Sequence, residues 1–236
     1  MSKVLAIAAR DLRSYFVSPL AYVVAALFSL VSGYLFWLIL CTSRQASMQG
    51  LFANLAVVFL LITPALTMRL LAEERKSGTI ELLMTVPLRD WELVGGKYLA
   101  SLAYLGFLFL CTLVYPVILA FVGKPDWPVI LAGYLGAFLL GASFMAVGLL
   151  ASSWTQNQVV AAVATFAVSL ILWLLPAAGQ IFGYPLSETL NFLSVVSHQE
   201  NLVRGILDST DLVFYLSFIL GCLFLTVRSV EVYHWR

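Results

Sequence analysis

Charge is what this sequence has least of. Lys, Arg, Asp and Glu make up 11% of its 236 residues and balance to +1, so there is no positive surplus with which to hold a nucleic-acid backbone. No basic run is longer than Arg75-Lys76. Cysteine is almost absent: Cys41, Cys111 and Cys222 lie within or at the edges of apolar runs, show neither metal-ligand spacing nor a disulfide framework, and read as small hydrophobes. Catalytic signatures are missing too. Gly95-Gly96-Lys97 falls short of a phosphate loop, because Trp91 stands where that motif needs glycine and Tyr98 where it needs Ser or Thr. Ser197, His198 and Glu200 are polar neighbours without an oxyanion site or an ordering partner legible from spacing. No short apolar leader with a small-residue cleavage site is present, so no cleavable signal peptide is expected.

What the sequence has instead is grease. Hydrophobic residues account for 62% and the mean hydropathy is +0.98, beyond the roughly 45–50% apolar content of a soluble domain. No Lys, Arg, Asp or Glu occurs from Ser14 to Ser43, Gln45 to Met68, Tyr98 to Gly123, Trp127 to Ser187 or Leu212 to Val227. A helix needs about 20 apolar residues to cross about 30 Å of hydrocarbon. The longest run must therefore hold two crossings around the polar turn from Ser152 to Gln158. The expected fold class is all-α and polytopic, with six spans at about 20–41, 51–70, 93–120, 128–151, 158–176 and 211–229 in one membrane domain over residues 1–236. None of these spans shows an ionisable residue at membrane depth, which disfavours coupling to a proton or sodium gradient; backbone carbonyls of an unwound helix keep that alternative open.

Six spans put both termini on one side. That side collects Lys3, Arg10, Arg13, Arg69, Arg75, Lys76, Arg89, Lys97, Arg228 and Arg236, whereas Arg44, Lys124 and Arg204 fall opposite. The termini are expected in the cytoplasm. Trp37, Trp127 and Trp173 then mark outer span ends and Trp91, Trp154 and Trp235 inner ones, as interfacial anchors do.

Before the first span, residues 3–17 alternate so that Lys3, Arg10, Arg13 and Ser14 share one helical side while Val4, Leu5, Ala8, Leu12, Tyr15 and Phe16 share the other. This predicts an amphipathic helix in the cytoplasmic interface, broken at Ser18-Pro19 where Pro19 opens the first span. In the fourth span Gly133, Ala137 and Gly141, continued by Gly148, form a small-residue seam for close helix packing. Pro64, Pro116 and Pro176 mark kinks or ends. The stretch 177–210, with the polar SHQEN at Ser197 to Asn201, is too short for a core of its own. It is expected to fold back on the outer surface as short helices.

One loop breaks the pattern of scarce charge. Between Arg69 and Lys97 stand five basic residues (Arg69, Arg75, Lys76, Arg89, Lys97) and five acidic ones (Glu73, Glu74, Glu81, Asp90, Glu92). Orientation explains the bases and not the acids. Gly78 allows a sharp turn, Thr79 is a helix cap, Glu81 falls in the first turn, and Pro87 stops what Ile80 began. Asp90 is expected to cap the third span. The short helix carries Leu82, Leu83 and Met84, an apolar load that is unstable alone in water. Its burial is found either on the span ends and lipid interface or in the groove of another cytoplasmic protein.

EERKSGTIELLMTVPL, from Glu73 to Leu88, resembles the cytoplasmic loop of ABC-2 type transporter permeases, whose pattern E-x-x-x-G-T-x-E-x-L is matched by Glu74, Gly78, Thr79, Glu81 and Leu83. Ala9 to Phe36 and Ser197 to Val227 are similar to the gliding-motility branch of these permeases, near the permease of nitrous-oxide-reductase maturation. The resemblance implies an interfacial elbow helix with Lys3, Arg10, Arg13, Tyr15, Phe16 and Pro19. It implies a coupling helix in which Glu74, Arg75, Gly78, Thr79, Glu81, Leu82, Leu83, Met84 and Pro87 meet an ATPase, and an outer lid around Ser197, His198, Glu200, Asn201 and Gly205. It further implies two cytoplasmic ATP-binding subunits that hold ATP and Mg, a second permease chain, membrane lipid and, in the gliding branch, an extracytoplasmic auxiliary protein. This chain itself would hold no metal or cofactor and do no catalysis, in the inner membrane of a bacterium. The other classes left open are a force transmitter that keeps the ATPase dock and moves no solute, and a secondary transporter or channel.

Overall fold

The computed structural model describes residues 3–43, 45–78, 89–181 and 186–234. Among them every regular element is a helix: α1 (Lys3–Val17), α2 (Pro19–Ser43), α3 (Gln49–Thr67), α4 (Ala72–Lys76), α5 (Asp90–Thr112), α6 (Val114–Val122), α7 (Trp127–Ser153), α8 (Gln158–Ile181), α9 (Leu186–Leu193), α10 (Ser197–Val203) and α11 (Ser209–His234). The all-α, six-span architecture read from the charge-free runs is the one observed. Helices long and apolar enough to cross a membrane run over Pro19–Ser43, Gln49–Lys76, Asp90–Val122, Trp127–Ser153, Gln158–Gly179 and Ser209–Val232.

Two of them make the centre. The most apolar stretches of α3 and α7 are 61% and 67% buried, against 22%, 17% and 28% for α2, α8 and α11, so the outer helices keep wide apolar faces toward their surroundings. α7 packs on α3, α5, α8, α10 and α11. Its small residues admit this crowding: Gly133 faces the Phe52 ring and Gly148 faces Thr67, both on α3, while Gly141 faces Leu105 on α5 as well as Phe59 on α3. Ala137 is fully buried beside them. Aromatic rings fill the middle, with Phe28 stacked on Phe59 at 6.0 Å, Phe59 tilted against Phe109 at 5.8 Å and Tyr134 edge-on to Phe52 at 5.0 Å.

Prolines break helices less than their ring chemistry suggests. Pro116 removes the donor to the Thr112 carbonyl, and the chain yields there by splitting into α5 and α6; the Tyr134 hydroxyl donates to that carbonyl at 3.0 Å. Pro176, expected to end the fifth span, instead lies inside α8, which continues to Ile181. The Leu172 carbonyl it would leave bare faces the Ser194 hydroxyl at 3.4 Å. Pro64 likewise sits within α3.

Candidate functional site

The end of the bundle that carries α1 gathers most of the interior charge. α1 lies along the start of α5, where Gly96 leaves no room for a side chain: a Cβ there would stand 2.7 Å from Ile7 and 3.0 Å from the Val4 carbonyl. The face of α1 that meets α5 is therefore Val4, Ile7, Asp11 and Tyr15, a stripe at three- and four-residue steps that runs oblique to the expected apolar side. Tyr15 stacks on Tyr104 at 5.3 Å and donates from its hydroxyl to the Leu66 carbonyl at 2.9 Å; Phe16 meets Phe107 edge-on at 5.1 Å. Burial pushes the Tyr15 hydroxyl up, and Asp11 adds to it. Lys3 and Arg13 remain on the exposed side, and Pro19 is the first residue of α2.

Next to Gly96 stands Lys97, only 2% exposed. Its Nζ lies 2.8 Å from Glu74 Oε1 and 3.1 Å from Asp11 Oδ2, while an Arg10 guanidinium nitrogen lies 3.0 Å from the same Glu74 oxygen and 2.7 Å from Asp11 Oδ1. Two cations and two carboxylates close a neutral ring across α1, α4 and α5. Burial opposes the charge on Arg10, but the hydrogen bonds and fields of Asp11 and Glu74 outweigh it and hold its pKa above the ordinary arginine value. A cavity of about 250 Å³ opens beside the ring, walled by Asp11, Tyr15, Arg69, Glu73, Glu74 and Lys97.

Of the expected coupling residues, Glu74 and Arg75 are on α4, and Gly78 has a φ of +70° just beyond it, in the left-handed region that favours glycine. Glu74 turns inward to Lys97 and Arg10 and does not point away from the chain. Thr79, Glu81, Leu82, Leu83, Met84 and Pro87 lie outside the described residues. At the start of α5 the cap is Arg89, one residue before the expected Asp90, and the Glu92 carboxylate accepts from the Arg89 N–H at 2.9 Å.

The opposite end holds a second polar knot. His198 Nδ1 is 2.6 Å from Asp211 Oδ1 and Nε2 is 2.9 Å from the Phe192 carbonyl, so each ring nitrogen faces an oxygen. Asn201 donates to the other Asp211 oxygen at 3.0 Å, and the imidazole stacks on Phe214 at 3.9 Å. Gln199 donates to the Phe52 carbonyl at 2.8 Å, pinning α10 to α3. Ser197 opens α10, Glu200 pairs loosely with Arg204 on the exposed side, and Gly205 ends the helix at φ +86° with Val129 against it.

Lys97, Asp11, Asp211 and Gln199 were not singled out by the sequence. The available signals were a lysine beside a glycine pair inside a charge-poor helix and an acid in the first turn of the last span. Among the described residues no group of three His, Cys, Asp or Glu side chains is placed to hold a metal. The arrangement at either end can hold elements together. The family model described as ABC-2 family transporter protein matches residues 16–227. No curated protein matches the chain.

Proposed function

The chain belongs to the ABC-2 family of transporter proteins, a membrane permease component, and from that membership we propose that it couples ATP hydrolysis in a separate cytoplasmic subunit to movement across the membrane. The single observation that carries this reading is the family match over residues 16–227. The charge-rich stretch between Arg69 and Lys97 supports it, because such a loop is unexplained by membrane orientation alone. In this reading both termini face the cytoplasm, and two ATP-binding subunits close on ATP beneath two permease chains. The segment from Thr79 to Val86 seats in the ATPase, with Leu82, Leu83 and Met84 buried and Glu81 paired at the rim. The complex is exporter-like, of the gliding-motility branch, in a bacterial inner membrane. The permease supplies the path and the ATPase supplies ATP, Mg and the chemistry.

The experiment is isolation of the chain from native membranes with its bound proteins, followed by reconstitution with the ATP-binding subunit. Glu81→Arg should uncouple ATP hydrolysis from transport while the chain inserts normally, since reversing a charge at such a contact costs on the order of 2–5 kcal/mol. Unchanged coupling would count against the reading.

A further inference from the structure

The residue that matches the first position of the loop pattern does not face outward. Glu74 receives Lys97 at 2.8 Å and Arg10 at 3.0 Å, and Lys97 in turn holds Asp11 at 3.1 Å from a site that is 97% closed to solvent on its side chain. We infer that Lys97 and Glu74 are positioning residues: together with Asp11 and Arg10 they fasten α1, α4 and the start of α5 into one rigid unit, so that Glu74 is an internal tie and not a docking residue.

Three observations carry this. The ring joins residues 64 and 86 positions apart, so it fixes tertiary geometry and not a local turn. Two of the elements it joins, α1 and the start of α5, are also closely packed, with Gly96 pressed on Ile7 and Val4, and Glu74 reaches this pair from α4. Lastly, charge balances within the ring, so moving α4 alone would leave Lys97 and Arg10 to share Asp11, one carboxylate too few. A push delivered to the chain at Gly78 would therefore travel through α4 into α1 and α5 at once. Arg10 and Asp11 precede the matched residues 16–227, so this half of the ring is a feature of the chain that the family match does not cover.

The direction of load rests on the proposed ATPase partner, and the rigidity itself does not; the test separates them. With Cys41, Cys111 and Cys222 replaced, spin labels at Arg13 and Lys76, both exposed and outside the ring, report the distance from α1 to α4 in phosphatidylcholine nanodiscs without any partner. The unsubstituted ring should give one narrow distance, Lys97→Met and Glu74→Gln should each lose it, and Lys97→Arg should restore it. A narrow distance in Lys97→Met or Glu74→Gln overturns the tie. Should Lys97→Met fail to fold, Glu74→Gln and Lys97→Arg decide by the same readout. In the second arm, Glu74→Gln should co-purify with the ATP-binding subunit at the unsubstituted yield. Loss of that yield with Glu74→Gln but not with Lys97→Met makes Glu74 a docking residue and overturns the assignment. If no ATPase co-purifies with the unsubstituted chain, the proposed function fails while the distance measurement still decides the tie.

Discussion

Each end of the bundle holds a cluster of interacting polar side chains, and the two are assembled differently. Near α1, Lys97 and Arg10 reach carboxylates 86 and 64 residues away, on three helices distant in sequence. At the far end, His198 finds Asp211 across 13 residues, and Phe192, Asn201 and Phe214 that complete the knot come from the same stretch of chain. The far knot shapes one local fold and anchors it to α3 through Gln199. The near ring joins separate bodies. A long-range tie fixes distant parts of the chain relative to one another, whereas a local one mainly fixes a surface.

The sharpest way to break that contrast is Lys97→Met. It leaves Asp11 and Glu74 facing each other in a mostly closed site, and should cost about 4 kcal/mol in reversible unfolding from mixed micelles. His198→Ala removes the hydrogen bonds to Asp211 and to the Phe192 carbonyl and a ring stack, and should cost about 3 kcal/mol. Hydrogen exchange should rise over 186–203 in His198→Ala and over 3–15 in Lys97→Met; a variant that loosened both ends alike would dissolve the distinction. The double variant should equal the sum of the two within about 0.5 kcal/mol. Between the ends, Gly148→Ala drives a methyl into Thr67 and should cost about 2 kcal/mol. Gly106→Ala, with nothing near its would-be Cβ, should be neutral or stabilising by up to about 1 kcal/mol in the same measurement. Ser194→Ala, which bares the Leu172 carbonyl beside Pro176, should cost about 1 kcal/mol. The smallest effect is at Asp208, whose exposed carboxyl accepts from the Thr210 N–H and is held below the usual carboxylate range by it. Its contribution is complete above the unfolded carboxylate range and fades as pH falls through the lower folded value. Asp208→Asn should flatten that acid limb of the stability profile.

What could be read from sequence was what depends on composition and short-range pattern. The six spans follow from the charge-free runs, and the glycines of α7 follow from their spacing, although spacing alone did not tell that Gly133 and Gly148 face α3 while Gly141 meets α5 as well. The helix over Lys3–Val17 was legible, but its buried face was not. No local pattern marked Asp11, whose partner Lys97 is distant in sequence, and Ile7 was left off the apolar side. Pro176 read as a stop because the hydroxyl that replaces its missing donor belongs to Ser194, in a segment whose return onto α8 no local rule dictates. His198 looked partnerless for the same reason: Asp211 stands beyond Gly205, whose positive φ reverses the chain and brings the two together.

The most direct test of the whole account places a photo-crosslinking residue at Leu82 or Leu83 in the complex isolated from native membranes. Crosslinks to an ATP-binding subunit, abolished when that subunit is stripped away, are the expected result. Crosslinks to lipid alone, with no ATPase in the isolated complex, would contradict it.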